Sequence, residues 1–213
     1  MICKLFRAPH DGENPDVVLQ NALAEAGSAA VPRPVGHVIA EWDDSGQATG
    51  RALGHLACAQ EFLPGATDGW RVALAAAGDV HAFDAEARAL GRATAEVHEM
   101  LAATLPTRPT SATDVDATIA QMNGRLAAAI AEVADLANYA DAITAVFDRA
   151  RTARWPDQQR IHGDLHLGQV LAVPARGWVL VDFEGEPLRP MRERGRLDNP
   201  MRDVAGIQRE SRH

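Results

Sequence analysis

The spacing of apolar residues changes character along the chain, and that change sets the class of fold. From Asp84 onward Leu90, Val97 and Leu101, with intervening alanines, keep helical spacing as far as Pro106. Ile119, Met122, Leu126, Ile130, Val133 and Leu136 then repeat at steps of three and four, and a third helical stretch, Ala142 to Arg154, carries Ile143, Val146 and Phe147. Before this region the apolar runs are short and punctuated by turns. Ile2 to Arg7 reads as a strand, and Asn14-Pro15-Asp16 opens a helix that Gly27 ends. Val35 to Trp42 and His55 to Leu63 are two further apolar segments, divided by Asp43-Asp44-Ser45-Gly46 and closed by Pro64-Gly65. After Trp155-Pro156, the runs Val170 to Val173 and Trp178 to Phe183 flank Pro174-Ala175-Arg176-Gly177, which is the pattern of a β-hairpin. A small sheet carrying one helix, a helical middle and a late hairpin predict an α+β protein.

Charge and cysteine usage narrow the function. With 29 acidic against 21 basic residues the net charge is -8, which repels phosphate backbones and anionic membranes, so neither nucleic acid nor a membrane is an expected partner. No apolar run approaches the roughly 20 residues of a membrane helix, and the first residues lack the apolar region of a secretory signal. Cys3 and Cys58 form no CxxC pair, in keeping with a reducing compartment. The protein is expected to be soluble and cytoplasmic. Lys4 is the one lysine, every other basic residue being arginine, and a single ammonium in such a chain invites a specific role.

The densest polar signal is His162-Gly163-Asp164-Leu165-His166-Leu167-Gly168-Gln169 immediately before the hairpin, with Asp182-Phe183-Glu184-Gly185-Glu186-Pro187 immediately after it. A hairpin brings its two outer ends together, so the two motifs meet. Such a pair suits phosphoryl transfer from a nucleotide, in which the protein orients an attacking hydroxyl and holds Mg²⁺ against the phosphates. Asp164 is then the base at the hydroxyl, Gln169 offers an amide oxygen to the metal, and Asp182 supplies its anionic ligand, since hard cations prefer oxygen. The same residues admit a second chemistry, because His162-x-Asp164-x-His166 also has the spacing of a metallohydrolase site, although no second paired HxH motif occurs.

The order H-x-D, hairpin, D-F parallels the protein kinases, with Gln169 in the place of asparagine and Glu184 in the place of glycine. Arg160 to Gln169, Asp182 to Pro187 and Arg202-Asp203-Val204-Ala205-Gly206 together resemble the maltokinase and glucosamine (aminosugar) kinase branch of the aminoglycoside phosphotransferase-like kinases. This resemblance implies a bilobal, protein-kinase-like fold, with residues 1–63 as a partial amino-terminal lobe and hinge and residues 64–213 as a mostly helical lobe holding the catalytic hairpin. It implies ATP and Mg²⁺ as cofactors and a sugar hydroxyl as acceptor, on maltose, glucosamine or a related amino sugar. Lys4 would neutralise nucleotide phosphates. Gln60, Glu61 and Phe62 would form the hinge that meets adenine through backbone groups. Asp164 would be the catalytic base, Gln169 and Asp182 would bind Mg²⁺ with Glu184 assisting, and Asp203 would brace the catalytic loop.

The chain departs from the pattern in two respects. The family's helix after the N-P-D turn commonly supplies a glutamate to pair with the lysine, and here Val17-Val18-Leu19 stand in that place. The resemblance also implies strands before Lys4 and sugar-binding helices after Gly206. The chain is therefore expected to be the middle of a longer kinase with little sugar kinase activity of its own, and a non-catalytic nucleotide-binding domain is the alternative.

Overall fold

The computed structural model describes residues 1–78, 83–186, 189 and 191–210. Pro187 of the second motif, His81 and His213 lie outside them. The elements run β1 (Ile2–Leu5), α1 (Pro15–Glu25), β2 (Pro34–Asp43), β3 (Arg51–Gln60), β4 (Thr67–Asp68), α2 (Gly69–Gly78), α3 (Asp84–Thr104), α4 (Ala112–Glu132), a 3₁₀ turn (Ala134–Tyr139) and α5 (Ala140–Arg151). A second 3₁₀ turn (Leu167–Gln169), β5 (Val170–Val173), β6 (Gly177–Leu180), α6 (Met191–Arg194) and α7 (Met201–Glu210) follow. The fold is α+β, as the apolar spacing predicts.

The first sheet has the order β1-β3-β2 and is antiparallel throughout, with Lys4 opposite Cys58 and Ile2 opposite Gln60. Between its first two strands runs α1, whose start follows from local chemistry. The Asn14 side chain accepts the Asp16 amide at 2.9 Å, and Pro15 fills a position whose N–H would have no helical partner. Gly27, at φ +83, ends the helix in the left-handed conformation that glycine adopts without strain. The apolar segment read as far as Leu63 is strand only to Gln60: the amide of Glu61 still reaches the carbonyl of Arg33 at 2.9 Å, but the Arg33 amide goes to the Glu61 side chain at 3.0 Å and not to its carbonyl.

A second sheet, β4-β5-β6, contains the predicted hairpin. Its last strand stops at Leu180 and does not run on to Phe183, since Asp182 takes φ +68 and leaves the extended region. Neither β4 nor α2 is apparent in the sequence pattern. The start of α2 sits so close to the chain before β5 that a Cβ on Gly69 would lie 2.8 Å from the carbonyl of Leu167.

The predicted stripe on α3 is found: Leu90, Thr94, Val97 and Leu101 are buried at steps of four, three and four. They pack with Leu19, Leu23 and Val31 from the α1 region and with Leu165, Leu167, Val170, Leu180 and Phe183 around the hairpin. Each such side chain stabilises the fold by about 1.5–3 kcal/mol through removal from water. The core therefore lies directly beneath the two polar motifs and holds their backbones in place.

By contacts the chain divides into two compact units, residues 108–158 and a larger one made of residues 1–107 with 159–213. The first sheet and the hairpin of β5 and β6 both belong to the larger unit. Within the smaller unit α4 opens with a capping box between Ser111 and Asp114, and Arg108 grips Asp114 through two bonds of 2.7 and 2.8 Å. The helix predicted to extend to Leu136 ends at Glu132, and of its apolar residues Ile119 is buried while Met122 is 38% exposed. No helix among the described residues is long and apolar enough to cross a membrane.

Candidate active site

Lys4 lies at the meeting point of three segments. Its Nζ donates to Asp16 Oδ2 at 2.8 Å and to Asp182 Oδ1 at 2.7 Å, and stands 3.8 Å from Glu184 Oε1. The sequence pattern puts Lys4, Asp182 and Glu184 in one site, and the structure brings them together. Asp16 is the residue that pattern misses. Where a glutamate deeper in the helix was expected, the buried side chains of Val17 and Leu19 serve the core, and the carboxylate comes from the first turn. Asp16 is fully buried and accepts three bonds, from Lys4, from Gln20 Nε2 at 2.5 Å and from the amide of Phe183 at 2.8 Å. Burial of a carboxylate is offset by pairing and hydrogen bonds of this kind. The signal was present in the sequence as an aspartate two residues past the cap of the helix that follows the lone lysine.

The charges in the cluster adjust one another. Burial alone would depress the Lys4 ammonium, but Asp16 and Asp182 outweigh it and hold its pKa well above the ordinary value. For Asp182 burial acts upward, yet the bonds from Lys4 and Gln169 keep its carboxyl below the usual range. Glu184 is raised, by burial first and by the negative charges of Asp182 and Asp16, with Lys4 opposing.

Gln169 closes the 3₁₀ turn and Asp182 follows β6, so the ends of the hairpin place them side by side. Gln169 Nε2 donates to Asp182 Oδ2 at 3.1 Å, and the amide of Val181 donates to the Gln169 carbonyl at 3.0 Å. Carboxylate oxygens of Asp16, Asp182 and Glu184 all lie within 4.8 Å of one another. A donor set of oxygens with excess negative charge fits a hard divalent cation such as Mg²⁺. It does not fit the alternative of a histidine-ligated metal, because His162 is committed elsewhere: its Nε2–H donates to the Val181 carbonyl at 2.9 Å and its Nδ1 accepts the Asp164 amide at 3.4 Å. Burial lowers the pKa of that imidazole, against the pull of Asp203. His166 Nδ1 accepts the amide of Gly168 at 3.1 Å.

The loop bearing Asp164 is held from below by Asp203 at the start of α7. The Asp203 carboxylate accepts the amides of His162 at 3.0 Å and Gly163 at 2.9 Å, and the Nε2–H of His98 at 2.9 Å. Gly206 completes the docking, for a Cβ there would stand 2.4 Å from the carbonyl of Leu165. Asp164 itself is half-buried, on the loop whose backbone these contacts fix.

Gln60, Glu61 and Phe62 sit at and beyond the end of β3, two residues past Cys58, the partner of Lys4. Gln60 is buried and its Oε1 has no hydrogen-bond partner among the described residues. The Glu61 carboxylate accepts the Arg33 amide at 3.0 Å and the guanidinium of Arg176, whereas Phe62 is 59% exposed. Gln60 Oε1 apart, the Glu61 side chain is absorbed in structure and Phe62 points to solvent, so the backbone of the segment remains for a ligand.

A family model described as the phosphotransferase enzyme family matches residues 2–209. The glucosamine kinase of Streptacidiphilus jiangxiensis is 33% identical over 215 aligned residues, covering 94% of this chain and 47% of that protein. The glucosamine kinase of Mycolicibacterium smegmatis is 29% identical over 222, covering 95% and 52%. Among solved structures, a glucosamine kinase in complex with glucosamine, ADP and inorganic phosphate matches with a TM-score of 0.77 at 31% identity, covering 96% of this chain and 53% of that one. Another glucosamine kinase, in crystal form A, gives 0.78 at 30% identity, covering 98% and 50%. The chain spans about half the length of the curated relatives it matches. With one family model running along almost its whole length and the lysine, braced loop and acidic hairpin end in one cluster, the chain belongs to the phosphotransferase enzyme family.

Proposed function

We propose that this chain carries the nucleotide- and metal-binding part of an ATP-dependent kinase that phosphorylates a hydroxyl of an amino sugar, with glucosamine the leading acceptor and maltose set aside. The observation that carries this reading is the convergence of Lys4, Gln169 and Asp182 at the mouth of the loop braced by Asp203. Similarity to glucosamine kinases, one of them in complex with glucosamine and ADP, supports the acceptor. The division into an amino-terminal lobe and hinge, residues 1–63, and a helical lobe from residue 64 is part of the same reading. So is a cytoplasmic location, which the free thiols of Cys3 and Cys58 support.

In this reading Lys4 draws the nucleotide phosphates toward β1 and offsets their charge. Asp164 accepts the proton of the attacking hydroxyl and orients it for in-line transfer. Asp182 and Gln169, with Glu184 behind them, would hold Mg²⁺, which supplies charge neutralisation between the phosphates. The backbone of Gln60, Glu61 and Phe62 meets adenine. Calorimetry of ADP binding with and without Mg²⁺, followed by a coupled assay of ADP release with glucosamine and with maltose, tests the proposal. Mg²⁺-dependent binding with turnover on glucosamine is expected. Binding without turnover on any sugar would leave a nucleotide-binding module, and no binding would remove the reading.

A further inference from the structure

Arg176 stands in the turn between β5 and β6, at the end of the hairpin opposite Gln169 and Asp182, and each of its three guanidinium nitrogens donates to a distant group. Its Nε donates to the carbonyl of Ala29 at 2.7 Å, its Nη2 to the carbonyl of Val31 and its Nη1 to Glu61 Oε1. The same Glu61 oxygen accepts the Arg33 amide at 3.0 Å, while the Glu61 amide donates back to the Arg33 carbonyl at 2.9 Å. The amide of Leu180, on the second hairpin strand, donates to the Ala30 carbonyl at 2.8 Å. One guanidinium therefore fastens the hairpin turn, the connection between α1 and β2, and the first residue beyond β3. A lysine could not reproduce this, because the grip uses the planar fork with its donors in fixed directions.

Two further observations set this contact apart from an ordinary surface ion pair. The Arg176 side chain is only 25% exposed and that of Glu61 22%, so the pair is shielded from screening by solvent. The turn also holds Ala175 at φ +61, a left-handed conformation that a residue other than glycine keeps only where its surroundings enforce it. Although burial favours the neutral acid, Arg176 and Arg33 hold the Glu61 carboxyl below its ordinary pKa.

The segment following Gln60 offers a ligand its backbone beside the exposed ring of Phe62, so its usefulness depends on where that backbone is held. We propose that Arg176 is a positioning residue for the nucleotide site, setting adenine affinity by fixing the backbone of Glu61 to Leu63 independently of the phosphate end at Lys4 and Asp182. The proposal rests on the nucleotide reading above. A contact at the adenine end affects ligands that carry the base and leaves untouched those that carry phosphates alone, which provides the test.

Calorimetry on the full chain, in Mg²⁺, compares ADP with inorganic tripolyphosphate. Arg176→Ala, Arg176→Lys and Glu61→Gln are each expected to weaken ADP by about tenfold while tripolyphosphate stays within about twofold, and the Arg176→Ala/Glu61→Gln double variant to bind ADP no worse than Arg176→Ala alone, as coupled partners should. If Arg176→Ala folds poorly, the lysine and glutamine variants carry the same comparison. Unchanged ADP affinity in all three, equal loss of both probes, or additive losses in the double variant would overturn the assignment of Arg176 alone. Wild-type protein that binds neither probe would overturn the nucleotide reading itself, and the role of Arg176 with it.

Discussion

The carboxylate of Asp16, without exposed surface, receives the Lys4 ammonium at 2.8 Å from a strand twelve residues earlier. The helix contributes the ion-pair partner from its first turn, and that partner also holds the amide of Phe183. The cation of the site and the backbone beside Asp182 thus hang on one side chain.

Asp16→Ala should therefore act on both. Breaking a fully buried pair costs roughly 3–5 kcal/mol, and since Lys4 keeps Asp182 and partial solvent the loss expected here is about 2 kcal/mol. Urea denaturation would measure it. Mg²⁺-dependent ADP affinity should fall as well, and a variant that bound ADP like the wild type would show that Lys4 needs no second carboxylate.

Asp164→Asn should separate chemistry from binding. The substitution keeps the size of the side chain and removes the carboxylate proposed as proton acceptor, so turnover with glucosamine is expected to fall by roughly 10²–10⁴. ADP affinity should stay within about threefold, because no phosphate contact is altered. Steady-state kinetics with calorimetry on the same preparation would decide, and unchanged turnover would remove Asp164 from the role of base.

Asp203→Ala should leave the amides of His162 and Gly163 and the ring of His98 without their acceptor. With a buried unsatisfied donor costing about 1–3 kcal/mol, a loss of about 3 kcal/mol is expected. Hydrogen exchange at the His162 and Gly163 amides should accelerate in the folded protein, and protection equal to that of the wild type would contradict the brace.

Stability should decline as pH falls below about 6.5, the ordinary value from which the His162 imidazole is lowered by burial. The native state binds fewer protons there than the unfolded chain, so the contribution is complete above that pH and shrinks as acid is added. The lowered carboxyl of Asp203 acts in a separate window, below its ordinary 3.8. Glu184, raised from 4.5, acts in the opposite sense, being lost as pH rises. Melting temperatures between pH 7.5 and 5.5 for wild type and His162→Gln isolate the imidazole, since Glu184 is common to both. The variant should give the flatter profile, and parallel curves would assign the acid sensitivity elsewhere.

What could be read from the sequence was whatever local chemistry decides. Asn14, Pro15 and Gly27 bound α1 through their own backbone preferences, and the α3 stripe follows from spacing alone. The hairpin with its two motifs needed nothing beyond turn residues and apolar runs. Elements that depend on distant partners were not legible. The two residues of β4 become a strand because Thr67 and Asp68 pair with Ala172 and Leu171, and α2 is apolar nearly all round, with Val72 and Ala73 packed on the core and Trp70 and Leu74 exposed, so its sequence shows no one-sided stripe. In the site, the identities of Lys4, Gln169, Asp182 and Glu184 were legible as types in a pattern. The partnership of Lys4 with Asp16 and that of Arg176 with Glu61 were not, because each exists only once the tertiary fold has brought the segments together.

Asp203 also sets the order in which the loop bearing Asp164 can take shape. The loop carries little of its own geometry, and its amides are captured by a residue 40 and 41 positions downstream, whose other partner lies 105 positions upstream. Joining segments so far apart demands large loop-closure entropy before any contact rewards it. The hairpin beside the loop can zip locally and early, whereas the loop waits for α7 to dock on α3. The hairpin ends that carry Gln169 and Asp182 are therefore expected to form before the loop bearing Asp164 is set, and under the proposed function activity would be among the last properties the folding chain acquires.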